Sequence, residues 1–219
     1  MPNLNCNQSA LALHGTSSQL GLALSNFADD TTARTWNLGQ DLSTHLQTYL
    51  AEFLKPYSWR ELAWIAITRG PGSFTGTRVG LVTARTLAQQ LEIPLFAVST
   101  LAAAVWSQTD KRQQSFQKPI AIQMNARRGQ LFVAIYEVAA DGWGLVPQLS
   151  DQVMTTEAWQ ETLENLETAY QLIDTPADLG ETVTSVLELA YLDWQQGKRP
   201  HWSEALPFYG QHPVQLRGK

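Results

Sequence analysis

Two short apolar runs, Ala10-Leu11-Ala12-Leu13 and Leu20-Gly21-Leu22-Ala23-Leu24, flank the polar stretch 14–19, and this spacing predicts a β-hairpin. Farther along, Leu42, Leu46, Tyr49, Leu50, Phe53 and Leu54 recur at helical spacing. They predict a helix over 41–54, with Asp41 as its N-cap and Pro56 as its stop. The run Ala63-Trp64-Ile65-Ala66-Ile67-Thr68 reads as a strand, 78–91 as a helix, and Leu95-Phe96-Ala97-Val98 as a second strand. Such a strand-helix-strand unit implies parallel pairing with a right-handed crossover. On the 78–91 helix, Val79, Leu81, Val82, Ala84, Leu87, Ala88 and Leu91 cover more than one stripe. That helix is expected to be buried on two sides, by its own sheet and by a second domain or another subunit.

The pattern changes after residue 106. The stretch 107–115 is the most polar in the chain and reads as a mobile loop. Residues 119–124 and 130–136 read as strands around the turn Asn125-Ala126-Arg127-Arg128-Gly129. A helix is predicted over 156–167 from Trp159, Leu163 and Leu166, and a short strand over 170–173. A longer helix is predicted over 178–196, with Val183, Val186, Leu187, Ala190, Tyr191 and Trp194 inward and Gly197 as its stop. Neither repeats nor low-complexity blocks interrupt this order.

Charge and composition narrow the function classes. The 219 residues carry a formal net charge of −5, and the 15 Lys and Arg are scattered, with no run beyond a pair. Unaided tight binding of RNA or DNA normally needs a basic stripe, so it is not expected. A single cysteine, Cys6, excludes an internal disulfide and every Cys-based zinc site. Among His14, His45, His201 and His212 no pair has the i, i+4 spacing of a helical metal site. The first residues lack the basic and apolar regions of a signal peptide, and no apolar run approaches the roughly 18 residues of a membrane span. A cytoplasmic protein with no membrane contact is expected.

The heptad Gly70-Pro71-Gly72-Ser73-Phe74-Thr75-Gly76 stands between the 63–68 strand and the 78–91 helix. A glycine-rich turn there directs backbone N–H groups and the positive end of a helix dipole at one spot, which suits a phosphate. A Walker A loop, however, ends in Gly-Lys-Ser/Thr, whereas this one continues Thr75-Gly76-Thr77-Arg78, and no lysine lies between Lys55 and Lys111. The dinucleotide pattern fails too, because Thr75 stands at the third glycine. The alternative is that Gly70, Gly72 and Gly76 allow a tight turn and close backbone packing while Ser73 or Thr75 caps the helix. Both readings stay open on these grounds. Arg127 and Arg128 are either an anion contact or a solvated hairpin turn. His14 is expected in a solvent-facing turn, and His45, beside the apolar face of the 41–54 helix, at a surface or interface.

The segment Thr68-Arg69-Gly70-Pro71-Gly72-Ser73-Phe74-Thr75-Gly76-Thr77-Arg78-Val79-Gly80-Leu81 resembles the signature of the TsaB family (formerly YeaZ). These are bacterial proteins needed to make threonylcarbamoyladenosine on tRNA. The similarity continues through Ala84, Leu87, Ile93-Pro94-Leu95 and Val98-Ser99-Thr100-Leu101. It resumes at Ala126-Arg127-Arg128-Gly129-Gln130-Leu131-Phe132, which resembles the family's D-A-R-R-x-x-x-Y segment. Matching segments cover most of residues 10 to 136; from about residue 140 only the general pattern agrees.

The resemblance implies an α/β, two-domain actin-like ATPase fold (ASKHA, RNase H-like) with mixed sheets flanked by helices. Residues 1–103 would form an N-terminal subdomain bearing the partner interface, rejoined by 197–219, and residues 104–196 a smaller α/β subdomain. The family is a degenerate relative of TsaD, the subunit that transfers the threonylcarbamoyl group. The implied function is therefore a non-catalytic accessory or scaffold subunit. Its complex would form N6-threonylcarbamoyladenosine in tRNAs that read codons beginning with A.

The implied partners are TsaD, bound and activated as a heterodimer, and the ATPase TsaE. Alone, the chain would homodimerise through the same helices, and tRNA would be met only through the complex. No metal and no cofactor of its own are implied; ATP or ADP with Mg²⁺ would lie at the junction of the complex. The rival is a weak ATPase or a protease of the actin-like/glycoprotease superfamily.

Carried onto this chain, the glycine-loop interface is Gly70, Pro71, Gly72, Ser73, Phe74, Thr75, Gly76 and Arg78. Partner-helix contacts fall to Leu46, Leu50, Val79, Val82 and Leu87, and tRNA or partner contact to Arg127 and Arg128. Two departures remove carboxylates. His14-Gly15 stands where the family has Asp-Thr, and Asn125 replaces the Asp of D-A-R-R. A histidine cannot serve as the hard oxygen ligand that actin-like ATPases place near Mg²⁺, so ATP hydrolysis is not expected.

Overall fold

The computed structural model describes residues 4, 8–55, 57–109, 118–176 and 178–210. Its first sheet has the order β3-β2-β1-β4-β5, built from β1 (Ser9–His14), β2 (Gln19–Ser25), β3 (Thr31–Asn37), β4 (Leu62–Thr68) and β5 (Leu95–Val98). The expected hairpin is β1–β2, paired antiparallel, and β1, β4 and β5 run parallel to one another. Alternation along β1 sorts side chains by size. Leu11 and Leu13 face the helices α1 (Leu42–Phe53) and α2 (Phe74–Leu91), with Leu46, Leu50 and Leu81 packed over them. Ala10 and Ala12 face the opposite layer, where they admit Val183, Val186, Leu187 and Ala190 of α5 (Val183–Gln195).

The second sheet has the order β8-β7-β6-β9, from β6 (Ile120–Asn125), β7 (Gln130–Val138), β8 (Leu145–Thr155) and β9 (Gln171–Asp174). Helix α3 (Thr100–Gln108) covers one face through Leu101, Ala104 and Val105, and α4 (Thr156–Glu164) the other through Trp159 and Leu163. Two mixed sheets flanked by helices make this the α/β, actin-like (RNase H-like) fold. We propose the division into 1–103, 104–196 and a return from 197. In that division α5 is the bridging element, because its apolar face lies on the first sheet while the strand before it, β9, belongs to the second.

Several boundaries differ from the sequence reading. Asp41 does not cap α1 with its side chain; a 3₁₀ turn, Gly39–Asp41, leads into the helix instead. Helix α2 begins at Phe74, so the end of the glycine heptad is its first turn, capped by Ser73 Oγ accepting from Gly76 N. The 178–196 element is a 3₁₀ turn, Gly180–Thr182, followed by α5.

Three elements had no sequence signal. Strands β3 and β8 are sheet edges whose side chains are mostly exposed, so neither carries a clean alternation; Pro147 is tolerated in β8 for the same reason. Helix α3 is buried from Thr100 to Trp106 and shows no polar face. Ser107 and Gln108, read as loop, are its last turn and Thr109 is its C-cap; residues 110–115 of that loop, together with Pro56 and residues 211–213 of the tail, fall outside the described residues.

Candidate partner-binding cleft

The glycine loop is closed by backbone contacts against the β1–β2 turn, where Ser73 N donates to Thr16 O at 2.6 Å, and against the start of α3, where Thr100 N donates to Gly70 O at 2.9 Å. A Cβ on Gly72 would lie 2.1 Å from Thr16 O, and one on Gly76 2.2 Å from Gly15 O. Gly72 also adopts φ +148°. Glycine is required at both positions by touching main chains. The amides of Ser73 and Gly76 are thus spent on the chain's own oxygens, which favours the packing reading of the loop over the phosphate reading.

The far side of the loop opens into a cleft of about 450 Å³, walled by Gly72 to Thr75 on one side and by Asn125 to Arg128 on the other. The structure therefore brings together the glycine loop and the arginine turn, more than 50 residues apart in sequence. Arg127 and Arg128 are exposed on a tight turn after β6, and Arg128 holds a left-handed φ of 63°. Asn125 is exposed at the end of β6 and also lines the cleft. Arg78 lies one turn into α2 at the cleft rim. Its guanidinium sits 3.8 Å from the centre of the Phe74 ring, and its Nε donates to Tyr209 Oη at 2.9 Å. Phe132, Phe208 and Tyr209 add aromatic rings to the lining. The sequence reading missed these aromatics: Tyr209 is 131 positions from Arg78, and no local pattern links them.

Two docking residues need correction. Leu46 and Leu50 are 0% and 3% exposed, since both point from α1 into the core above β1 and β2. They cannot meet a partner. On α2, Val79 and Leu87 are half-buried and Val82 is 64% exposed, so the helix is not covered on both sides within the chain.

His14 is a second correction. It ends β1 with no exposed surface, rather than lying in a solvent-facing turn. Burial lowers its pKa to about 3, so the ring is neutral. Nε2 lies 3.5 Å from Thr16 Oγ1, which is itself 2.9 Å from Thr100 Oγ1, and Nδ1 has no hydrogen-bond partner among the described residues. A neutral, enclosed imidazole supplies neither a charge nor a ligand to the cleft.

Behind the loop lies a polar cluster that the sequence did not signal. Asp151 of β8 is 7% exposed. Its Oδ1 accepts from Ser99 Oγ at 2.9 Å and Tyr136 Oη at 2.8 Å, and Arg69 approaches Oδ2 at 3.5 Å. Desolvation raises the Asp151 pKa against the opposing pull of these donors, and raises that of Tyr136 as well. Among the described residues no three His, Cys, Asp or Glu side chains are grouped to hold a metal ion, and no helix is long and apolar enough to cross a membrane.

Comparison with known proteins agrees with this architecture. Residues 40–172 match the family described as TsaD, tRNA N6-adenosine threonylcarbamoyltransferase. The chain is 35% identical over 106 residues to the tRNA threonylcarbamoyladenosine biosynthesis protein TsaB of Bacillus subtilis (strain 168), covering 48% of this chain and 43% of that protein. It is 27% identical over 142 residues to the protein of the same name from Buchnera aphidicola subsp. Acyrthosiphon pisum (strain APS), covering 64% and 62%. These alignments thus span about half the length of the curated relatives. In fold, the chain superposes on YeaZ from Pseudomonas aeruginosa with a TM-score of 0.73 at 22% identity, over 92% of this chain and all of the other. The match to the family described as TsaD extends over more than half of the sequence, so the chain belongs to that family, and the curated relatives and the solved neighbour that it resembles bear the names TsaB and YeaZ.

Proposed function

We propose that this chain is a non-catalytic accessory subunit of the machinery that forms N6-threonylcarbamoyladenosine on tRNA, acting as a cytoplasmic scaffold that binds and activates a TsaD-type transferase. The observation that carries the proposal is the packing of Gly72 and Gly76 against the main chain of the β1–β2 turn, with Ser73 N–H donated to Thr16 O. A loop so packed braces the start of α2. The helix then presents Val82, flanked by half-buried Val79 and Leu87, to solvent. In isolation the same surface would pair with a second copy; in the complex it would meet TsaD, with TsaE joining the pair. ATP or ADP with Mg²⁺ would lie at the junction, supplied with ligands by the partners. The exposed Arg127 and Arg128 would meet a partner carboxylate or tRNA phosphate across the cleft, with tRNA held mainly by the other subunits.

The test is size-exclusion chromatography of the chain with its cognate TsaD, with and without nucleotide. Co-elution in one earlier peak is expected, and separate peaks at micromolar concentrations overturn the scaffold reading. Calorimetric titration of the isolated chain with ATP and Mg²⁺ is expected to give no micromolar binding; such binding would favour the weak-ATPase alternative.

A further inference from the structure

We propose that Arg69 and Asp151 are positioning residues that set the gap between the glycine loop and the Arg127–Arg128 turn. Asp151 is the single buried position of β8, on a strand whose other residues are exposed or half-buried. A bulge places it there. Val133 pairs with Gln152 and Ile135 with Leu149, so Ser150 and Asp151 together stand opposite Ala134. An extra residue of this kind re-aims a side chain, and here it turns a carboxylate toward the first sheet.

Arg69 is the residue between β4 and Gly70, and it gathers three connections. Its N–H donates to Val98 O at 2.9 Å, and its carbonyl accepts from Phe208 N at 2.8 Å. Its guanidinium reaches Asp151 at 3.5 Å. Through Phe208 it also fixes the neighbouring Tyr209, which holds Arg78 at the cleft. On the other side, β8 pairs along β7 as far as Gln130, the residue directly after the Arg127–Gly129 turn. The arginine wall is thus carried on the β7–β8 ribbon, and that ribbon is tied to the root of the glycine loop at Asp151.

The chemistry of the tie is asymmetric. Oδ1 is satisfied by two hydroxyls, whereas buried Oδ2 has no hydrogen bond within the described residues and depends on the charge of Arg69. Removing one partner of a buried pair leaves the other uncompensated, which pushes the surroundings to rearrange. Loss of either group should therefore let the ribbon, and the arginine turn with it, take several positions relative to the loop. The consequence for partner binding rests on the cleft reading proposed above. The tie itself is tested on the free chain, so the two ideas can fail separately.

Spin labels at Thr75→Cys and Arg128→Cys, with Cys6→Ser to remove the native thiol, report the gap by pulsed electron resonance. A single narrow distance distribution is expected for the parent. Arg69→Gln and Asp151→Asn should each widen or displace it, the two together should do no more than either alone, and Arg69→Lys should restore most of the parent distribution. Lys198→Gln, which breaks the exposed Lys198–Asp193 pair, should leave it unchanged. Arg69 is only half-buried, so Arg69→Gln decides the matter even where Asp151→Asn fails to fold. An unaltered distribution in Arg69→Gln, or an equal change in Lys198→Gln, overturns the proposal.

Discussion

The two walls of the cleft are made in opposite ways. The glycine wall is held by main chain pressed on main chain, with Gly72 and Gly76 each lacking room for a Cβ. The arginine wall is an exposed turn, where a Cβ on Gly129 would meet nothing within 4 Å and Arg128 adopts a left-handed conformation that a glycine would hold more easily. The first wall is specified by shape and the second by charge. A substitution should therefore damage the fold on one side and only the contact on the other.

The largest effect is expected at the packed wall. Gly72→Ala or Gly76→Ala drives a methyl group into a carbonyl oxygen and should cost about 3 kcal/mol or more, measured by urea denaturation. Arg128→Ala across the cleft should stay within about 0.5 kcal/mol. Equal losses on both sides would break the contrast.

The next effect concerns His14, beneath the hairpin turn that the glycine loop packs on. Its folded pKa of about 3 lies below the unfolded value of 6.5, so the unfolded chain binds the extra proton between them. The stability that His14 contributes is present above pH 6.5 and falls as pH drops, by about 1.4 kcal/mol per pH unit from this group alone. His14→Leu should flatten that part of the stability-pH curve; an unchanged slope would place the ring in contact with water. A smaller effect is expected at the charged wall, where Arg128→Gly should gain up to about 1 kcal/mol by relieving the left-handed backbone. The same variant should weaken any anion contact, so stability and binding would move in opposite directions.

Legibility in the sequence followed the same division. The β1–β2 hairpin, β4, α2 and the β6–β7 turn were readable because each carries a strong local pattern, and the glycine heptad marked the turn where backbones touch. What was hidden depends on partners distant in sequence. Helix α3 is buried all round and so has no amphipathic period, and β3 and β8 are edges with little to bury. His14 reads as a turn residue, yet it ends β1 with no exposed surface. Leu46 and Leu50 lie on a correct apolar stripe, but a stripe does not say whether it meets the chain's own sheet or another protein. Asp151 gave no signal because its partners lie 82, 52 and 15 positions away, at Arg69, Ser99 and Tyr136.

In the proposed function the packed loop serves to present α2 to a partner, and calorimetric titration of the chain and of Val82→Asp into the cognate TsaD tests this directly. Val82 is 64% exposed, so the variant should unfold within about 0.5 kcal/mol of the parent. It is nevertheless expected to bind at least tenfold more weakly; parent-like affinity for Val82→Asp would rule out α2 as the docking surface.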